Sequence, residues 1–261
     1  MIPLFLPADR LERLPKAIDA DPNVVVLDLE DAVTPASKAA ARIAISSLAL
    51  PRHPPIAVRV NAVGTPWHDD DMAMVKALSW RPIVMVPKSE SSDQFKTFDS
   101  LEVWALIETA HGIAQVRSIA AHKSVTRLVF GSADYCADLG CAHERDALIA
   151  ARLEIILAGR LAEIEPSIDG VCFDLHNTEI IAAEARYAVS LGFGGKLCIH
   201  PRQIAALKSG FFPTSSEIEW ASRIMLRSGD HSGAVAVDGE MVDTPVRIRA
   251  QRIMARARNS A

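Results

Sequence analysis

Thiols and net charge are both scarce in this sequence, and each shortage narrows the field. The four cysteines, Cys136, Cys141, Cys172 and Cys198, do not make the sets of close pairs expected of a zinc site. Cys172 and Cys198 fall in predicted strands, where a thiol acts as a small core residue. Cys136 follows Asp134 in a predicted loop, with no histidine placed by sequence to activate it, so a thiol nucleophile is not expected. A net charge of -4 leaves no electrostatic footprint for nucleic acid, although a local basic pocket for a phosphorylated ligand is compatible with it. No apolar run approaches the ~20 residues that span a bilayer, so no membrane partner is expected. Met1-Ile2-Pro3-Leu4 enters the first apolar run without a signal-peptide pattern, and the expectation is a cytoplasmic enzyme.

What the sequence does have is a series of eight short apolar runs with helix-sized stretches between them. They are Pro3 to Pro7, Val24 to Leu29 (interrupted only by Asp28), Ile56 to Val58, Ile83 to Val86, Val103 to Ile107, Leu128 to Phe130, Val171 to Phe173 and Leu197 to Ile199. Runs of this length, rich in Val, Ile and Leu, suit parallel strands buried on both faces, and each gap has room for one helix. The pattern predicts a (β/α)8 TIM barrel, for which 261 residues is an ordinary length. Seven of the runs lead to a charged or titratable side chain: Glu30-Asp31, Arg59, Lys88, Glu108, Asp134, Asp174 and His200. In such a barrel the strand carboxyl ends form the active face, which gathers these scattered residues into one cluster.

Helix signals fill the gaps. Asp9 is placed to cap Arg10 to Ala20, Thr34-Pro35 opens a helix to Ser47, and Thr65-Pro66 opens another from Trp67 to Leu78. Further helices are predicted to open at His111 or Gly112, at Asn177 and at Pro201, with a loop and a long helix over Ala147 to Ile164. Beyond the eighth unit, Ser215 to Arg227 reads as a helix, residues 228–233 as a flexible turn, and Val246 to Arg258 as a terminal helix. That helix carries Arg247, Arg249, Arg252, Arg256 and Arg258, a pattern expected of a solvated or subunit-facing surface. The expected division is a barrel domain over 1–228 and a C-terminal lid and helical extension over 229–261.

Glu108 and Asp134 close neighbouring strands. Two carboxylates so placed, with water and a substrate oxygen completing the shell, suit a hard cation such as Mg2+; structural caps or ion-pair partners are the competing reading. Arg59 brings a permanent cation to the same face, either to hold a carboxylate or an enolate oxygen or to pair with Glu30 or Asp31. Lys88 is expected in an ion pair, His200 and Asp174 in structural hydrogen bonds, and Trp67 and His68 in a helix cap and its packing.

Eight segments carry a family resemblance: LFLPADRLER, VVVLDLEDAVTPASK, VRVNAVGTPWHDDD, MVPKSES, ALIETAHG, FGSADYCADLG, GFGGKLCIHPRQI and GEMVDTPV. In order and along nearly the whole chain, they resemble the citrate lyase beta-subunit-like family of acyl-CoA lyases, within the HpcH/HpaI aldolase and malyl-CoA and citramalyl-CoA lyase superfamily. Ala8 and His111 stand where Gly and Arg are common in that family. The resemblance implies a Mg2+-dependent barrel enzyme, a homo-oligomer (trimer or hexamer), acting on a CoA thioester and a 2-oxo acid. By position it makes Glu108 and Asp134 the metal ligands, with Glu108 also touching substrate, and Arg59 the substrate-binding and catalytic cation. It places Glu30 and Asp31 beside the metal, and Asp243 as a catalytic residue reaching a neighbouring subunit's site.

Three function classes follow. The leading one is a lyase cleaving a 3-hydroxyacyl-CoA (citramalyl-, malyl- or citryl-CoA-like) into an acyl-CoA and a 2-oxo acid. The second applies the same enolate chemistry to condensation with thioester hydrolysis, or to aldol cleavage of a free acid. The third is a lyase subunit active only with acyl-carrier and transferase partners.

Overall fold

The computed structural model describes residues 1–49, 54–228, 235–237 and 240–258. The chain divides into two compact units, Met1–Leu207 and Lys208–Ala261.

The first unit is a barrel of eight parallel strands in sequential order. These are β1 (Pro3–Pro7), β2 (Val24–Asp28), β3 (Ile56–Arg59), β4 (Ile83–Val86), β5 (Val103–Ile107), β6 (Val125–Phe130), β7 (Glu165–Asp169) and β8 (Gly195–Lys196). Closure comes from the backbone just past β8: Phe5 N donates to Cys198 O at 2.9 Å and Cys198 N to Pro3 O at 2.9 Å. Alternate residues of each strand point inward, so Val24, Val26, Ala57, Trp104, Leu106, Val129 and Ile168 pack as one core inside the barrel. The same alternation carries Asp28, Arg59 and Glu108 inward at the upper rim. Strand register thus aims the charged groups at one point.

Seven helices cover the barrel strands in chain order: α1 (Leu14–Asp19), α2 (Lys38–Ser46), α3 (His68–Ala77), α4 (Ala110–Ala120), α5 (Ser132–Leu139), α6 (Arg145–Leu161) and α7 (Thr178–Leu191). The gap between β4 and β5, expected to hold a helix, carries only a 3-10 turn over Ser92–Phe95. Asn177 caps α7 as expected, its Oδ1 accepting from Glu179 N and Ile180 N. Thr109 caps α4 by accepting from Gly112 N.

Two strands differ from the sequence-based expectation. The seventh is Glu165–Asp169 rather than Val171 to Phe173, because Pro166 and Ser167 hide a strand whose inward-facing apolar residue is Ile168. The eighth is Gly195–Lys196, two residues ahead of the run Leu197 to Ile199. Cys172 and Cys198 consequently lie just beyond strand ends rather than within strands, and both are buried.

The second unit begins within α8 (Ile204–Phe211) and contains α9 (Ser215–Ser228), the antiparallel pair β9 (Val235–Val237) and β10 (Glu240–Val242), and α10 (Thr244–Arg258). The boundary at Leu207 is earlier than the expected one at 228 because α9 packs on α10. Ala221, Ile224, Val242, Ala250 and Ile253 form their shared core. Arg249 stacks over the Trp220 ring at 4.7 Å. Of the flexible turn expected over 228–233, Ser228 ends α9 and residues 229–233 lie outside the described residues. Among the described residues no helix is long and apolar enough to cross a membrane.

Candidate active site

At the carboxyl end of β2, Asp28 interrupts an otherwise apolar strand and is 2% exposed. Its two oxygens grip Arg59 edge-on, accepting from Nε and Nη2 at 2.7 Å each. Asp28 also accepts from Glu30 N at 2.9 Å, which fixes the turn carrying Glu30 and Asp31. Burial opposes the charge on Arg59, but Asp28, Glu30 and Glu108 outweigh it and raise its pKa. The guanidinium lies over the Phe5 ring at 5.0 Å. This arrangement leaves Arg59 permanently charged and fixed in orientation.

Glu30 stands between two cations. Its Oε1 accepts from Lys88 Nζ at 2.9 Å, and its Oε2 lies 3.0 Å from Arg59 Nη1. That second contact is an ion pair without a directed hydrogen bond, so Glu30 Oε2 is a buried oxygen lacking a hydrogen-bond donor. Burial raises the Glu30 pKa, with Arg59 and Lys88 pulling the other way. Asp31 is more exposed and 3.7 Å from Arg59 Nη1.

Glu108, 1% exposed, projects from the end of β5. Its Oε1 accepts from the backbone N–H of Lys88 at 2.7 Å. Lys88 holds a left-handed backbone (φ 45°), a conformation costly for lysine, and this orientation aims its N–H at Glu108 while its ammonium reaches Glu30. The far oxygen, Glu108 Oε2, lies over Gly131, where an added Cβ would stand 2.6 Å from it. Burial first, and then the charge of Glu30, push the Glu108 carboxyl up to about 8. Asp134 adds to that push from the first turn of α5, a helix where a loop was expected.

A cavity of about 340 Å3 opens here, lined by Asp28, Asp31, Arg59, Glu108, Ser132 and Asp134 among others. The structure therefore brings Arg59, Glu108, Asp134 and Asp31 to one cavity, with Glu30 joined to it through Arg59 and Lys88. A larger cavity of about 570 Å3 lies along α6 and α7, lined by His143, Arg145 and Arg152. It contains none of those site residues, so the smaller cavity is the candidate site.

Asp243 belongs to the C-terminal unit, where its Oδ1 accepts from Val246 N at 3.2 Å at the start of α10. His200 and Asp174 make structural hydrogen bonds, to Arg202 N and to His176 N and Asn177 N respectively. His68 Nδ1 is 2.8 Å from Asn61 O.

Two site-building residues escaped the sequence reading. Asp28 was visible as a charge inside a buried strand. Lys38, 4% exposed, gave no signal because all its partners are distant in sequence. Its ammonium donates to Leu29 O and Glu30 O at 2.7 Å and to Asn61 Oδ1 at 2.6 Å, tying the ends of β2 and β3 together.

Among the described residues, no group of three or more His, Cys, Asp or Glu side chains is arranged to hold a metal ion. Four carboxylates, Asp28, Asp31, Glu108 and Asp134, line the cavity, and Glu30 carries a buried oxygen without a hydrogen-bond donor. All-oxygen donors with coordination positions left for water and substrate fit Mg2+ better than they fit zinc or copper.

Charged groups converging on the carboxyl rim of a closed parallel barrel define an enzyme. Residues 1–201 match the HpcH/HpaI aldolase/citrate lyase family, and the chain belongs to it, a lyase by class. It is 37% identical to a citrate lyase subunit beta-like protein of Mycobacterium tuberculosis (strain ATCC 25618 / H37Rv), over 97% of this chain and 94% of that protein. It is 30% identical to a (3S)-malyl-CoA thioesterase of Cereibacter sphaeroides (strain ATCC 17025 / ATH 2.4.3), over 97% and 93%. The fold also matches the crystal structure of CitE from Mycobacterium tuberculosis in complex with magnesium, acetoacetate and coenzyme A. The TM-score is 0.90, with 36% identity, over 98% of this chain and 97% of that one.

Proposed function

We propose that this protein is a Mg2+-dependent carbon–carbon lyase that cleaves a 3-hydroxyacyl-CoA into an acyl-CoA and a 2-oxo acid. The observation that carries the reading is the meeting of Glu108, Asp134 and Arg59 in one cavity at the barrel's carboxyl rim. Magnesium, acetoacetate and coenzyme A in the matched CitE structure support the same ligand classes here.

In this reading Glu108 and Asp134 would hold the cation, with Glu30 and Asp31 beside them. When bound, Mg2+ polarises the carbonyl of the 2-oxo acid product. Arg59 cannot swing, because Asp28 occupies its Nε and Nη2. It is therefore preorganised to stabilise the oxygen on which negative charge develops as the thioester enolate leaves. Cleavage also requires a base for the 3-hydroxyl proton. Asp243 is the proposed base, contributed across the interface of a homo-oligomer to a neighbouring subunit. Mixing Asp243→Asn with Arg59→Ala subunits tests this: each variant alone is expected to be inactive, and exchange restores sites with both residues intact. No recovery after verified exchange refutes the sharing.

The assay for the reaction itself is purified protein with Mg2+ and a panel of 3-hydroxyacyl-CoA esters. Release of 2-oxo acid together with acyl-CoA supports the lyase. Free CoA without 2-oxo acid would favour thioester hydrolysis, the reading suggested by the similarity to a malyl-CoA thioesterase. Inactivity of the lone chain on every ester, with activity restored by acyl-carrier and transferase chains, would favour the subunit reading.

A further inference from the structure

Helix α5, which carries Asp134 in its first turn, ends in a turn closed by a backbone hydrogen bond between two cysteine residues. Gly140 takes the left-handed conformation (φ 72°, ψ 30°), and its N–H donates to Cys136 O at 2.9 Å. Cys141 N also donates to Cys136 O, at 3.1 Å. This second bond is the six-residue closure of a Schellman turn, in which the side chains third from the helix end and second beyond it pack against each other. Here both side chains are cysteines. That closure sets the Cys136 and Cys141 side chains at the two packing positions of the turn, and Cys136 Sγ donates to Ala142 O at 3.6 Å. Neither thiol is in a disulfide; Cys136 is buried and Cys141 is partly exposed. Nothing lies within 4 Å of where a Cβ on Gly140 would stand, so glycine is required there for its backbone conformation alone.

We propose that Cys136 and Cys141 are a covalent modification site, a thiol pair that closes to a disulfide by exchange with a small-molecule disulfide of the glutathione class. The partly exposed Cys141 reacts first. Its sulfur, having lost its proton to solvent, attacks one sulfur of glutathione disulfide, and the S–S bond breaks to release one glutathione thiolate, which is protonated. The buried Cys136 then loses its proton and attacks the Cys141 sulfur, expelling the second glutathione. Two cysteine thiols are oxidised by two electrons in total, and one glutathione disulfide is reduced to two glutathiones. The product ring pins the last turn of α5, so the modification acts on the helix that positions Asp134.

Both residues fall in a single tryptic peptide, Leu128 to Arg145, which contains no other cysteine. The full-length protein is incubated with glutathione disulfide, quenched with an alkylating agent and digested without reduction. The expected product is this peptide unalkylated and two hydrogens lighter than the dithiol, restored to the doubly alkylated form by prior reduction with dithiothreitol. Cys136→Ser should stop at a glutathione adduct on Cys141, and Cys141→Ser should leave Cys136 unmodified over the same time. A wild-type peptide that remains doubly alkylated, or that halts as a Cys141 adduct, overturns the proposal. Because the wild-type result is decisive alone, a variant that fails to fold does not blunt the test.

Discussion

Gly131→Ala is the smallest change that reaches the centre of the site without touching a charge. Gly131 has φ -83°, open to any residue, so the substitution strains no backbone. What it adds is a methyl group 2.4 Å from Glu108 Cβ and 2.6 Å from Glu108 Oε2. Carbon–carbon contacts relax at about 3.5–4.0 Å. The two groups must therefore separate by more than about 1 Å, and Glu108 sits at the end of a central strand. Turning the carboxylate relieves only the Oε2 contact, so the backbone at one of the two residues must shift as well, and either movement disturbs the 2.7 Å bond from Lys88 N. Overpacking of this kind costs about 1–3 kcal/mol, or roughly 2–12 °C in melting temperature for a domain this size. A ligand displaced by about 1 Å should cost about 100-fold in kcat/KM and weaken Mg2+ binding in step. Calorimetric titration of Mg2+, steady-state kinetics and thermal melting by circular dichroism read the three effects. Lowered melting with wild-type Mg2+ affinity and turnover would refute Glu108 as a ligand. Unchanged melting would refute the predicted clash.

Two other substitutions test the charged framework. Arg59→Lys keeps the charge but loses the two-pronged grip on Asp28, so turnover should fall by about 10- to 100-fold in a folded protein; wild-type turnover would exclude Arg59 as the stabilising cation. Asp169→Asn strands Arg152 and Lys196, both buried and bonded to Asp169 at 2.9 and 2.7 Å, and should destabilise the barrel by about 3–5 kcal/mol. Burial alone would raise the Asp169 pKa, but Lys196 and Arg152 outweigh it and lower it. Its stabilisation is therefore present above the unfolded value of about 4 and lost as pH falls through the lower folded value. The gap between wild type and variant in urea midpoints should narrow on acidification below about pH 4, and a gap independent of pH would contradict the charge-pair reading.

The sequence reveals most of the barrel because β1 to β6 coincide with continuous apolar runs or their immediate neighbours. It misleads at β7, where alternation fails: Glu165, Pro166 and Ser167 are polar or ring-restricted, whereas Val171 and Phe173 beyond the strand look more strand-like than the strand itself. Those two residues line the active cavity instead, which explains why apolar side chains persist in a loop. Helix α5 was hidden between Gly131 and Gly140, too short for a periodic signal to emerge. Among site residues, Glu108 and Arg59 were legible because each closes an apolar run. Lys38 was not, since its buried ammonium is explained by the oxygens at Leu29, Glu30 and Asn61, a constellation that exists only after β2 and β3 pair.

The charges around the cavity lead to one further expectation. Asp28, Glu30, Asp31, Glu108 and Asp134 lie at or beside the cavity with two cations, Arg59 and Lys88, while the Lys38 ammonium is held by neutral oxygens. With every group ionised the carboxylates outnumber the cations, an imbalance a divalent cation would reduce. Burial first, and then the neighbouring charge of Glu30, push the Glu108 carboxyl up to about 8. Mg2+ held by Glu108 would compete with a proton for that carboxyl. Affinity should rise with pH up to about 8, by up to about tenfold per pH unit, and level off above it. Calorimetry at about pH 7 in two buffers of different ionisation enthalpy should show nearly one proton released per Mg2+, and none about two pH units higher. Glu108→Gln should abolish both the binding and the buffer dependence. Tight Mg2+ binding with the same heat in both buffers at neutral pH would mean that the cation leaves Glu108 protonated and is held elsewhere.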